Sequence, residues 1–272
     1  MSSSDRIWIA IPAYNEAATI RGLAESALAL GWRVMVIDDG SADATAACLH
    51  DLPLTLLRHD ANRGKAASLR SAFSHALANG AAAVVTIDGD GQHDPGDAAR
   101  LLAAWRDRPE CLVIGARLHD RSSIPRARYL ANRFACFWIS WAAGHPIADS
   151  QSGFRVYSAA VMEIALSGRV HGKRFTFESE ILIEAAQRGH PTRAVMIPAR
   201  YPASARSSHY RAVVDTAKIV AMVATRLLRA GLHPHGLWNS LRREPPSQDP
   251  AATPAAISGS AGLPRRRTAR RG

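Results

Sequence analysis

Apolar runs along this chain are short, nearly continuous, and end abruptly in polar turns. Ile7-Trp8-Ile9-Ala10-Ile11 breaks at Pro12-Ala13-Tyr14-Asn15-Glu16, and Val34-Met35-Val36-Ile37 breaks at Asp38-Asp39-Gly40-Ser41. Val84-Val85-Thr86-Ile87 breaks at Asp88-Gly89-Asp90-Gly91-Gln92-His93. Unbroken rather than alternating apolar strands are those covered on both faces, as in parallel sheets. The intervening stretches fit helices over Ala18–Ala29, Asp43–His50 (with Ser41 or Asp43 as N-cap), Lys65–Ala78 and Gly96–Trp105. Thr55–Leu57, Cys111–Ile114 and Ala194–Ile197 add short strands. The pattern predicts a single α/β unit with a mostly parallel sheet flanked by helices, and such sheets bind ligands beyond the carboxyl ends of their strands.

That rule collects the candidate chemistry in one place. Tyr14, Asn15 and Glu16, then Asp38 and Asp39, then Asp88 and Asp90, then Arg117 all fall at strand ends. Two carboxylates one residue apart on glycine spacers suit a hard divalent cation such as Mg²⁺ or Mn²⁺. A bare Asp-Gly-Asp also suits a solvated turn, Tyr14 an ordinary half-buried aromatic, Asp39 a turn and Arg117 a solvated position. His93 reads as a loop histidine satisfied by hydrogen bonds.

Composition narrows the class. Cys48, Cys111 and Cys136 form neither a disulfide framework nor a metal-binding pair, and no apolar leader precedes the first strand, so the expected location is the cytoplasm. The formal net charge is +11. Much of that excess lies in residues 242–272, which carry seven arginines against Glu244 and Asp249 among Pro, Ala and Ser and read as a disordered basic tail. No nucleic-acid motif or interleaved aromatics accompany it, so an anionic membrane surface, at the inner face, is the expected partner, with plain solubilisation as the alternative. Phe134–Gly144 is uncharged but well short of the ~20 residues a span needs, and reads as a buried or interfacial helix. Val213–Leu232 is amphipathic and interrupted by Asp215, Lys218, Arg226 and Arg229; it fits either a helix lying on a bilayer or one packed on the domain. Nothing in the pattern sets an oligomeric state.

The motifs I-P-A-Y-N-E, V-I-D-D-G-S, N-R-G-K (Asn62–Lys65), D-G-D-G-Q-H, G-A-R (Gly115–Arg117) and D-S-Q-S-G-F-R (Asp149–Arg155) occur in that order. Together they resemble family 2 glycosyltransferases, nearest the dolichyl- or polyprenyl-phosphate sugar synthases, over about residues 6 to 210. The resemblance implies a GT-A (Rossmann-like) fold over 1–210, followed by an amphipathic helical segment 211–241 and the tail. It also implies a nucleotide-diphosphate sugar donor, a divalent metal, inversion at the anomeric carbon and a lipid acceptor such as a polyprenyl phosphate. By position, Pro12, Tyr14 and Glu16 would line the base and ribose beside Asn15 and Asp38, with Asp39 also on the nucleoside. Asp88, Asp90 and Gln92 would hold the metal, Arg117 would face the phosphates, and Lys65, Arg133 and the loop residue Arg206 would supply further cationic contacts. Asp90, Arg117 and Asp149 are the candidate catalytic residues. An ionised phosphate acceptor needs cations and no base, whereas a hydroxyl acceptor needs a carboxylate, Asp149 first, with Glu178 or Glu180 behind it.

Overall fold

A computed structural model of the chain describes residues 6–117, 126–173, 175–198 and 212–242. Arg206 and the basic tail beyond Arg242 lie outside the described residues. The strands are β1 (Ile7–Ala13), β2 (Arg33–Asp38), β3 (Thr55–Arg58), β4 (Ala83–Thr86), β5 (Leu112–Ala116), β6 (Arg155–Ser158) and β7 (Thr192–Met196). They form one seven-stranded sheet in the order β3-β2-β1-β4-β6-β5-β7. Every neighbouring pair is parallel except β6, which runs antiparallel to both β4 and β5.

The helices are α1 (Ile20–Leu28), α2 (Lys65–Ala78), α3 (Ala98–Asp107), α4 (Arg126–Ala143), α5 (Ala159–Leu166), α6 (Phe175–Gln187), α7 (Ala212–Arg229) and α8 (Pro234–Leu241). Alternation along the strands divides the apolar side chains between two cores. Ile7, Ile9, Ile11, Val34 and Val36 pack with Leu23 and Ala27 of α1 and Leu101 and Leu102 of α3 on one face. Trp8, Ala10, Met35 and Ile37 pack with Leu69 and Phe73 of α2, Ile139 of α4 and Ile181 of α6 on the other. Both faces are covered, which is why these strands read as continuous apolar runs.

Two sequence expectations change, and a third, left open, is decided. The helix expected over Asp43–His50 is only a 3-10 turn at Ala47–Leu49, because Asp43 and Thr45 are used as side-chain acceptors for backbone N–H groups and each other. Gly96 belongs to a 3-10 turn, Pro95–Asp97, capped by Asp94, before α3 begins. The amphipathic helix expected over Val213–Leu232 is α7, and of its two readings the structure takes packing: Ile219, Val223 and Leu227 are buried in the core shared with α4 and α6. Among the described residues no helix is long and apolar enough to cross a membrane.

Candidate active site

The loops that follow β1, β2 and β4 are sewn into a single rim at the carboxyl edge of the sheet. Asn15 sits in the left-handed region at φ 55°, where an Asn side chain can satisfy local backbone. Its N–H donates to Ser41 Oγ at 2.9 Å, and its Oδ1 accepts from Ala42 N at 2.9 Å. Glu16 N donates to Thr45 Oγ1 at 2.8 Å, and Thr19 Oγ1 donates to the Gly89 carbonyl at 2.8 Å. Gly89 is a close approach of two backbones: a Cβ there would stand 3.0 Å from the Pro12 carbonyl oxygen. Pro12 and Tyr14, both partly buried, lie on this rim.

Asp38 and Asp39 are buried within it. Asp38 Oδ1 accepts from Ser41 N at 2.9 Å, and Arg58 Nε stands 3.2 Å from Oδ2. Asp39 accepts from Arg63 N at 3.0 Å and Gly64 N at 2.7 Å, and pairs with His59 Nδ1 at 2.7 Å, whose Nε2 meets Ser71 Oγ at 2.9 Å. Gly64 takes φ 86°, a conformation glycine adopts without strain, and leads into α2. Asp39 thus anchors the turn that starts α2 and sets Lys65 on its first helical position.

Lys65 reaches across the edge of the sheet. Its Nζ lies 2.5 Å from Asp88 Oδ1 and 3.1 Å from Glu178 Oε2 in the first turn of α6. Burial opposes its charge, but the two carboxylates outweigh burial and raise its pKa. Burial likewise opposes ionisation of Asp88, and the Lys65 ammonium reverses it, holding Asp88 down to about 2. Asp90 goes the other way: burial and the charge of Asp88 raise its pKa, and its Oδ1 accepts from Gln92 N at 3.0 Å. Gly153, on the loop before β6, is pressed against this pair, since a Cβ would stand 2.4 Å from Asp88 Oδ2. Its carbonyl accepts from Thr86 Oγ1 at 2.7 Å.

His93 departs from expectation. It is 3 % exposed, packs on Phe154 with ring centroids 5.2 Å apart, and among the described residues neither ring nitrogen has a hydrogen-bond partner. Burial and the neighbouring Arg117 charge lower its pKa to about 4, so it is neutral at pH 7.

On the far side of Gly153, Asp149 is fully buried. Its Oδ2 accepts from the Arg117 backbone N–H at 3.2 Å and from Arg117 Nε at 3.3 Å, while Oδ1 accepts from Gln151 N at 3.2 Å. The loop carrying it is held by Arg155, entirely buried, whose guanidinium donates to the Ser150 and Ser152 carbonyls at 2.7 Å each and to the Glu178 carbonyl at 3.3 Å. Glu180 is spent elsewhere, accepting from His171 N and Gly172 N at 2.7 Å each. Arg133 is exposed on α4, whose inner face meets this loop through Cys136, 3.3 Å from Ser150 Oγ.

The donor set fits a hard divalent cation. Asp88 and Asp90 repel one another, and a dication relieves that repulsion. Among the described residues no cluster of three or more His, Cys, Asp or Glu could enclose a metal by itself. A site of one or two carboxylates completed by substrate phosphates is how Mg²⁺ is commonly held.

A family model, Glycosyl transferase family 2, matches residues 8–162, more than half of the chain and the whole stretch from β1 into α5. The chain belongs to that family. It is 27% identical over 200 residues to the UDP-N-acetylglucosamine–dolichyl-phosphate N-acetylglucosaminyltransferase of Methanococcus voltae, covering 66% of this chain and 79% of that one. It is 28% identical over 198 residues to the polyprenol monophosphomannose synthase of Mycolicibacterium smegmatis, covering 68% and 74%. The fold of this glycosyltransferase is shared with glucosyl-3-phosphoglycerate synthase from Mycobacterium tuberculosis in complex with phosphoglyceric acid, at TM-score 0.65 and 20% identity over 84% of this chain and 81% of that one. Structures of that synthase hold UDP with Mn²⁺ or Mg²⁺.

Sequence reasoning missed three parts of the candidate site. Glu178 meets Lys65, Gly153 meets Asp88, and His59 locks Asp39; each pair is far apart in sequence, and only the N-R-G-K and S-G-F-R motifs hinted at them.

Proposed function

We propose that this glycosyltransferase transfers a hexose, with inversion, from a nucleotide-diphosphate sugar to the phosphate of a membrane lipid of the polyprenyl-phosphate type, using Mg²⁺ or Mn²⁺. The observation that carries the choice of a phosphate over a hydroxyl is the state of Asp149. A hydroxyl acceptor needs a carboxylate it can reach, and Asp149 is fully buried, with Oδ2 accepting from Arg117 and Oδ1 from Gln151 N. The names of the relatives support the same acceptor class.

Asp88, Asp90 and Gln92 would hold the metal, which when bound neutralises charge on the leaving diphosphate. The rim of Pro12, Tyr14, Asn15 and Glu16 with Asp38 and Asp39 shapes the nucleoside pocket. Asp149 orients Arg117 toward the phosphates, where a fixed cation stabilises developing negative charge. An acceptor phosphate oxygen attacks the anomeric carbon from the face opposite the diphosphate. The new C–O bond forms as the bond to the diphosphate breaks, and the electron pair leaves with the nucleoside diphosphate. An acceptor already ionised gives up no proton, so Asp149 acts by positioning.

The test is transfer from GDP-mannose, UDP-glucose and UDP-N-acetylglucosamine to polyprenyl phosphate by Asp149→Asn, Arg117→Ala and Arg133→Ala, with a melting temperature for each. Asp149→Asn should keep turnover within about tenfold, while either arginine variant loses more. A loss of about 10²–10⁴-fold confined to a folded Asp149→Asn would establish a hydroxyl acceptor instead.

A further inference from the structure

The exposed large apolar side chains of the glycosyltransferase are not scattered. Among the described residues only Leu56 lies outside one region; Leu130, Phe134 and Phe137 are on α4, and Leu228, Leu232, Trp238 and Leu241 are on α7, α8 and the turn between them. Leu130 is 66 % exposed, Phe134 51 % and Trp238 62 %. On α4 the exposed positions 126, 130, 133, 134 and 137 follow the i, i+3/i+4 spacing of a single helix face, opposite the buried Ala135, Cys136, Ile139 and Ala142. The face is stiffened rather than loose. Trp138 and Trp141 stack at 5.4 Å, Phe137 meets Trp138 edge-on at 5.8 Å, and Trp141 Nε1 donates to the Leu232 carbonyl at 3.0 Å, tying α4 to the α7–α8 turn.

Its charge is one-sided. Arg126, Arg133, Arg229 and Arg242 are exposed on these elements, Arg242 lying 5.7 Å from the Trp238 ring, and neither α4 nor α8 contains an aspartate or glutamate. A second copy of this chain would set arginine against arginine. Anionic lipid headgroups complement the arginines, and Phe and Trp side chains suit the interfacial layer beneath.

We propose that the α4–α8 aromatic face is the surface by which the protein docks on an anionic bilayer, with α4 as the principal contact. This rests on the lipid-acceptor reading only for its purpose: docking by α4, whose inner side touches the Asp149 loop, brings the site to its acceptor. Of the two segments that sequence offered to a membrane, Phe134–Gly144 falls on α4, and α7 has its apolar stripe turned inward.

The experiment is co-sedimentation of the full chain with phosphatidylcholine vesicles containing or lacking phosphatidylglycerol. The variants are the doubles Phe134→Ser/Phe137→Ser and Trp238→Ser/Leu241→Ser, with Leu56→Ser as control and circular dichroism to confirm folding. Wild type and Leu56→Ser should bind the anionic vesicles, with a blue shift in tryptophan emission, and each double should weaken binding by about tenfold or more. Doubles that bind as tightly as wild type would overturn the proposal. So would a lipid-free dimer dissolved by the doubles with vesicle binding unchanged, which would make the face a contact between copies. Vesicle binding that depends on the aromatics, without transfer to polyprenyl phosphate in detergent, would keep the docking face and reject the acceptor.

Discussion

Asp38 and Asp39 close β2 as Asp88 and Asp90 close β4, each pair following an apolar strand and each close to a buried histidine. In the first pair Asp39 is satisfied from within, and Asp38 Oδ2 is balanced by the Arg58 guanidinium at 3.2 Å. Asp39 receives two backbone N–H groups and His59, and His59 is bonded at both ring nitrogens. The second pair is left in electrostatic conflict: Asp88 is held ionised by one lysine, Asp90 is pushed toward neutrality by burial and by Asp88, and among the described residues neither nitrogen of His93 is bonded. Satisfied buried groups fix a scaffold, whereas unbalanced charge in a fixed frame is where a ligand gains most. Under the proposed function the β2 pair would shape the pocket, and the β4 pair would be where donor and cation act.

The sharpest test of that contrast is Asp90→Ala. It should lower transfer by several kcal/mol, about 10³-fold or more, and abolish Mn²⁺ binding measured by calorimetry, with a melting temperature near wild type. EDTA should reproduce the loss, and full activity in chelator would remove the cation from the β4 pair.

Next in size is the acid response of His93. Its folded pKa of about 4 lies below the ordinary 6.5, so protonation favours the unfolded chain. Its contribution is intact above pH 6.5 and is lost as pH falls toward 4, about 3 kcal/mol in all. Urea unfolding in chelator across that range should show the slope, and His93→Phe should flatten it; an unchanged slope would assign the acid sensitivity to other groups.

Asp39→Ala should act on the opposite quantity. Leaving Arg63 N and Gly64 N without an acceptor should cost about 2 kcal/mol of stability, and donor binding should weaken only as α2 and Lys65 shift. If stability held while nucleotide binding vanished, Asp39 would be a ligand contact like those of the β4 pair.

Truncation after Leu241 should act on membrane affinity and leave the site untouched. Vesicle binding at low salt should weaken by about 1 kcal/mol for each arginine lost near the surface, and the difference should fade in high salt. Unchanged binding would leave the tail as a solubiliser.

The parallel sheet and the edge on which the site sits were legible because each strand is buried on both faces and breaks where its backbone leaves the core. Lys65–Ala78 was legible to the residue. Asp43–His50 was not, because side chains that could have capped a helix are bonded to the neighbouring loop instead. β6 was hidden as well: Arg155-Val156-Tyr157-Ser158 has polar residues that look exposed, yet all four are buried, with Arg155 satisfied by three carbonyls from loop and helix.

What the sequence determined by itself was local and periodic: the strand runs, their polar ends, and the ordered motifs that mark a family 2 glycosyltransferase. Only the tertiary structure decided which charges meet. Lys65 could have faced solvent, Asp149 could have stood open as a base, and α7 could have turned its apolar stripe to a membrane. Each outcome depends on groups distant along the chain, such as Glu178, Arg117 and the surface of α4, and a pairing energy between distant residues leaves no periodic trace in either one's neighbourhood.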